Sequence, residues 1–141
     1  MGVIYKADKI ISKILRIGVG NSKVDNASSG GITCGIRSDG SLKEKAFKNN
    51  GEEFDVHPTT GMAFDSVTVP NFGKMKEMVK TLHPLVPHFR LVSWDVACDD
   101  HDEPVLIEAN LQHGELDFHQ LNNDPLFGED TRKIVHAVFN K

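Results

Sequence analysis

Asp95, Glu108 and Asn110 are the residues of this chain whose types and spacing best suit chemistry. They fall in two apolar runs, Phe89 to Cys98 and Pro104 to Leu111, joined by the acidic stretch Asp99 to Glu103. Two such runs around a short polar loop predict an antiparallel hairpin. A turn centred between His101 and Asp102 sets Asp95 directly opposite Glu108. Side chains alternate between the faces of a strand. One face then carries Val92, Trp94, Val96 and Cys98 beside Val105, Ile107 and Ala109, and belongs in a core. The other carries Leu91, Ser93, Asp95 and Ala97 beside Leu106, Glu108 and Asn110. Two opposed carboxylates repel, and a cation between them removes the conflict. Carboxylate and amide oxygens are hard ligands, suited to Mg²⁺ or Mn²⁺ rather than Zn²⁺. The competing reading is a solvated hairpin with acids on its wet face. The register decides between them, because a one-residue slip moves Asp95 to the opposite face.

Other residues invite weaker readings. Arg16 sits in an apolar strand, where a charge needs a partner. It would neutralise a phosphate or acyl phosphate in a transition state, or form a structural ion pair, for instance with Asp25. Ser28-Ser29-Gly30-Gly31 offers backbone N–H groups to an anion, or is a plain hairpin loop. It lacks the spacing of a Walker or dinucleotide motif. His57 before Pro58 would contact an acceptor or cap a turn. His113 and His119 flank Glu115 and Asp117, but the spacing fits no zinc helix. No nucleophile elbow is present. Trp94 reads as core.

These residues need a sheet to hold them. Ile10 to Gly18, Gly31 to Arg37 and Ala63 to Val69 read as further strands, with Asp39-Gly40 a hairpin turn between Ile36 and Leu42. Met75, Met78, Val79, Leu82, Leu85 and Val86 recur at helical spacing after Asn71, a candidate N-cap, and Pro84 and Pro87 end the helix. A polar loop is expected from Gln112 to Asp130. A last helix is expected over Thr131 to Asn140, capped by Asp130, with Ile134, Val135, Val138 and Phe139 inward. The fold expected is α+β, mainly an antiparallel sheet with two helices packed on one face.

The 141 residues suit one domain, with 39% hydrophobic and 26% charged. The formal charge of -4 disfavours nucleic acid, which needs a basic stripe. No apolar run approaches the ~18 residues of a membrane span. Met1 to Tyr5 lacks the regions of a signal peptide. Cys34 and Cys98, each alone, predict buried thiols in a reducing cytoplasm.

Asp95, followed by Leu106-Ile107-Glu108-Ala109-Asn110, resembles the ATP-grasp superfamily, whose last core strands carry an acid and then an acid-x-Asn pair. Trp94-Asp95-Val96-Ala97 with Pro104 to Asn110 is similar, more narrowly, to the sugar-transfer-associated ATP-grasp family. So are Leu15-Arg16-Ile17-Gly18 leading to Val24-Asp25-Asn26 and Gly30-Gly31, His57-Pro58-Thr59-Thr60-Gly61 before Val69-Pro70, and Gln120 through Gly128. The resemblance implies Asp95, Glu108 and Asn110 as ligands of Mg²⁺ (or Mn²⁺) bridging ATP phosphates. It implies Arg16 as a catalytic anion contact and Ser29, Gly30 and Gly31 as cofactor-binding positions. It also implies a small-molecule carboxylate substrate, activated as an acyl phosphate. The family lies near genes for cell-surface polysaccharide assembly, including hexapeptide-repeat transferases, and this chain has no such repeat.

The chain departs from that pattern in two places. Ser93 stands where several ATP-grasp ligases place an arginine. By the resemblance, residues 1–141 are expected to correspond to the C-terminal lobe, with the adenine-binding segment and phosphate-binding lysines belonging to the lobe that comes first in the family. Isolated, the chain is expected to be inactive, and to pair as a homodimer through the face left by that lobe. The reading from a different class is a noncatalytic binding module that keeps the fold.

Overall fold

The computed structural model describes residues 2–6, 9–20, 30–112 and 114–139. Its strands are β1 Gly2–Lys6, β2 Lys9–Ile17, β3 Ile32–Ile36, β4 Leu42–Phe47, β5 Glu53–Phe54, β6 Leu91–Cys98 and β7 Pro104–Asn110. They form one sheet in the order β5-β4-β3-β2-β1-β6-β7, and each neighbouring pair is antiparallel. The helices are α1 Phe72–Leu82, α2 Asp117–Asn123 and α3 Thr131–Phe139. The fold class is α+β, as the sequence predicts, but the helices do not share a face.

The alternation of β3 shows why. Ile32, Cys34 and Ile36 pack with Phe72, Met75 and Val79 of α1, together with Leu42, Phe64, Val92, Trp94 and Val96. Fully burying such a side chain contributes about 1.5–3 kcal/mol. Thr33 points the other way and accepts a hydrogen bond from Asn122 Nδ2 of α2 at 2.8 Å. Helices α1 and α2 thus cover opposite faces, and every residue of β3 is buried. Cys34 lies within the α1-side core, where burial pushes its thiol up to about 11. Cys98 is also a free thiol, but only half-buried.

The Asp39-Gly40 turn forms as its sequence suggests. Asp39 Oδ1 accepts from Ser41 N at 3.0 Å and Ser41 Oγ at 2.7 Å. Gly40 has φ +96°, and a Cβ there would meet Phe72 at 2.9 Å. A glycine is therefore required both by conformation and by the close approach of α1.

Four expectations change. Residues 63–69 are not a strand. Phe64–Ser66 form a 3-10 turn flanked by single bridges, because Phe64 turns into the core. Asn71 precedes α1 in the left-handed region with no side-chain cap, and its Nδ2 instead donates to Asp102 O at 2.7 Å. The stretch expected as a polar loop contains α2. Helix α3 is present, but Val135 and Phe139 are exposed rather than inward, Phe139 at 79%. Strand β1, which the sequence reading left unassigned, sits between β2 and β6 and joins the two halves of the sheet.

Candidate active site

Residues directly opposed in an antiparallel pair share a face. Asp95 is opposed to Glu108 on one side and to Gly2 on the other, and Gly2 to Ile14. The next row on the same face carries Ser12, Ser93 and Asn110, with β1 in register between Ser12 and Ser93. The strand order therefore brings Asp95, Glu108 and Asn110 together on the face opposite α1. Asp95 is partly enclosed, its side chain 19% exposed, whereas Glu108 is exposed.

The hairpin register agrees with the sequence reading from Ser93 to Asp95 and departs beyond it. Asp95 pairs with Glu108, but Val96 pairs with Leu106 and Ala97 with Val105. Ile107 is the extra residue of a β-bulge and is 65% exposed. Leu106, not Ile107, therefore joins the face of Trp94 and Val96. Bulges often sit beside active sites, where they re-aim a side chain. Here the slip falls on the loop side and leaves the acid pair in register.

Arg16 is two residues beyond Ile14 on β2, so it occupies the same face. Its Nη1 donates to Asp95 Oδ2 at 3.4 Å, reaching across β1. Asp95 is a partner; Asp25 lies outside the described residues. The contact is at the long end of hydrogen-bond range, and both side chains are partly shielded, at 29% and 19% exposure. The positive guanidinium offsets some of the repulsion between the two opposed carboxylates.

Ser29 and Ser28 lie outside the described residues, as does His113. Gly30 is exposed with φ +87°, and Gly31 is buried. They lead into β3 at the end where Arg16 pairs with Thr33 and Ile17 with Ile32. His57 is the cap of a turn. Its Nδ1 accepts from Thr59 N and Thr60 N at 3.3 and 3.2 Å, so its Nε2–H donates to Gly18 O at 3.0 Å. Gly20 N donates to Thr59 Oγ1 at 2.8 Å, which ties the exit of β2 to the 57–61 turn. His57 thus holds the strand that carries Arg16.

His119, considered for a metal, is a buried structural residue of α2, bonded to Ser12 Oγ at 2.7 Å. Burial pulls its pKa down to about 4. The sequence reading missed that α2 flanks the acid face and that the segment before it borders a groove of about 360 Å³. Leu111 and Leu116, set in an otherwise polar stretch, were the available signal.

Among the described residues, no group of three or more His, Cys, Asp and Glu side chains is arranged to hold a metal ion. The hairpin set is two carboxylates and an amide. That donor set fits Mg²⁺, which uses one or two protein carboxylates and fills its shell with water and phosphate oxygens.

An antiparallel sheet with an acid opposed to an acid-x-Asn pair is the arrangement that the ATP-grasp resemblance leads one to expect. The family model described as sugar-transfer associated ATP-grasp matches residues 3–135, and the chain belongs to that family. Comparison with curated proteins and with solved structures gives no significant match. No helix among the described residues is long and apolar enough to cross a membrane.

Proposed function

We propose that this chain is the Mg²⁺- and ATP-phosphate-binding catalytic lobe of an ATP-grasp ligase-type enzyme. It would act in the cytoplasm, in sugar transfer for cell-surface polysaccharide assembly. The register that opposes Asp95 to Glu108, with Asn110 on the same face, carries the reading. In that role Asp95, Glu108 and Asn110 would hold the metal, and the backbone at Gly30 and Gly31 would bind phosphate oxygens. Arg16 meets the oxygens on which negative charge develops as a carboxylate is phosphorylated. A bound Mg²⁺ supplies positive charge that neutralises phosphate oxygens. Asp95 would be shared between Arg16 and the metal, and the ion pair would keep the carboxylate aimed when no cation is bound. That same ion pair favours the second reading, a noncatalytic module in which Arg16 and Asp95 serve the fold.

Metal-linked melting separates the two. A ligand that binds only the native state stabilises it by mass action. Without nucleotide, millimolar Mn²⁺ should add about 1 kcal/mol, a few degrees in Tm. Asp95→Asn should abolish that gain. Asp100→Asn, whose side chain is 89% exposed in the hairpin loop, should keep it. Because Arg16 already engages Asp95, Asp95→Asn should not raise the metal-free Tm. A wild-type chain indifferent to Mn²⁺ would leave the noncatalytic module standing.

We propose further that the chain does not turn ATP over without a nucleotide-binding lobe, since phosphoryl transfer depends on positioning and electrostatic clamping. ATP hydrolysis by the purified chain should equal that of Glu108→Gln. Magnesium-dependent turnover lost in Glu108→Gln would show that these residues suffice.

A further inference from the structure

A groove of about 360 Å³ opens on the acid face beside the Asp95–Glu108 row. Its floor is the next row, where Ser93 and Asn110 are directly opposed. Leu91, Leu111 and Leu116 form its apolar sides, and Gln112 adds an amide. Gly114 marks its narrow point: a Cβ there would stand 3.4 Å from Ser93 Cβ. Among the described residues, the lining carries no charged side chain.

That chemistry selects its occupant. A carboxylate seated here would lose water one residue row from Asp95 and Glu108, without gaining an opposite charge, which is costly. An amide or hydroxyl would meet Ser93, Asn110 and Gln112, and a branched aliphatic group would meet the leucines. We infer that the groove is a specificity subsite for a branched aliphatic group bearing an amide or hydroxyl rather than a carboxylate, held one residue row from the acid pair. Asn110 belongs to both the groove floor and the metal set, so the occupant lies next to the reacting end of the substrate. The inference rests on the ligase reading for what the group is part of, and on the lining alone for its chemistry.

Isobutyramide and isobutyrate share one carbon skeleton and differ in charge, which makes them matched probes. Each is titrated into the ¹⁵N-labelled chain, and amide shifts are followed. Isobutyramide should move the amides of Ser93, Asn110 and Gly114, and isobutyrate should bind at least about tenfold more weakly, as expected for an uncompensated charge in a partly apolar site. Gly114→Leu, which fills the narrow point, should remove the isobutyramide shifts. Equal or tighter binding of isobutyrate, shifts elsewhere, or no shifts with either probe would overturn the inference. Mn²⁺-induced broadening at Glu108, measured separately, reads the metal set. Its absence with intact isobutyramide binding would count against the ligase reading and leave the subsite in place.

Discussion

Between pH 7 and pH 4 the chain should lose about 3 kcal/mol of stability through one histidine, and His119→Asn should remove most of that loss. His119 is 2% exposed on the inner side of α2. Asn123 Nδ2 donates to Ser12 Oγ at 2.9 Å, and the same hydroxyl is hydrogen-bonded to His119 Nδ1, 2.7 Å away. The ring is held neutral, and burial lowers its pKa from 6.5 to about 4. The unfolded chain, with an ordinary histidine, takes up the proton first. The stabilisation is therefore complete above the unfolded value near 6.5 and is lost as pH falls through the folded value near 4. Each pKa unit is about 1.4 kcal/mol, which gives the figure above. His83 is shifted downward by burial in the same direction, so the wild-type slope alone is not diagnostic. Asparagine places an acceptor oxygen near the position of Nδ1 and does not titrate. Urea unfolding of both proteins at pH 7, 5.5 and 4 isolates the His119 contribution as the difference. Parallel curves for the two proteins would mean that the buried ring does not control the acid transition.

Trp94 provides the second large effect. It lies on β6 between Ser93 and Asp95 but faces the opposite side, 3% exposed in the α1 core. Its ring meets His83 edge-on, with centroids 6.3 Å apart. Its Nε1–H is buried without a hydrogen-bond acceptor among the described residues. Trp94→Ala should cost about 3–5 kcal/mol, from lost burial and the cavity left behind. Trp94→Phe should cost far less, about 1 kcal/mol. It keeps most of the apolar volume and removes an unsatisfied donor whose burial itself costs about 1–3 kcal/mol. Denaturant midpoints of the two variants test this contrast. A phenylalanine variant as unstable as the alanine variant would show that the indole N–H is satisfied after all. The difference bears on function because Trp94 anchors the strand from which Asp95 projects.

The hairpin was legible in the sequence because alternation is strict where the acids lie. Val92, Trp94 and Val96 mark one face, and Ser93 and Asp95 the other. The reading failed at Ile107 because Val105, Leu106 and Ile107 are all apolar, so an extra residue leaves the hydropathy pattern unchanged. Helix α2 was hidden for the opposite reason. Its buried side chains are His119 and Asn122, which are accommodated through hydrogen bonds to Ser12 and Thr33, and no apolar period announces them. Helix α3 has the periodicity of a core helix, yet Val135 and Phe139 remain exposed in the described structure. Periodicity identifies a face and says nothing of what covers it. The pairing of Arg16 with Asp95 was beyond the sequence altogether, because it depends on β1 lying between their strands.

That placement of β1 bears on the order in which the parts of the molecule form. The β6–β7 hairpin and the β3–β4 hairpin close through short turns, and such contacts form early because little chain entropy is lost. Arg16 and Asp95 are 79 positions apart, and the strand between them must be bound on both edges before they meet. The acid pair is thus a local product of one hairpin, whereas its guanidinium arrives only with the long-range closure of the sheet. A chain with only the hairpin formed would carry the two opposed carboxylates without the Arg16 guanidinium, and the Arg16–Asp95 contact reports that β1 has joined the two halves of the sheet.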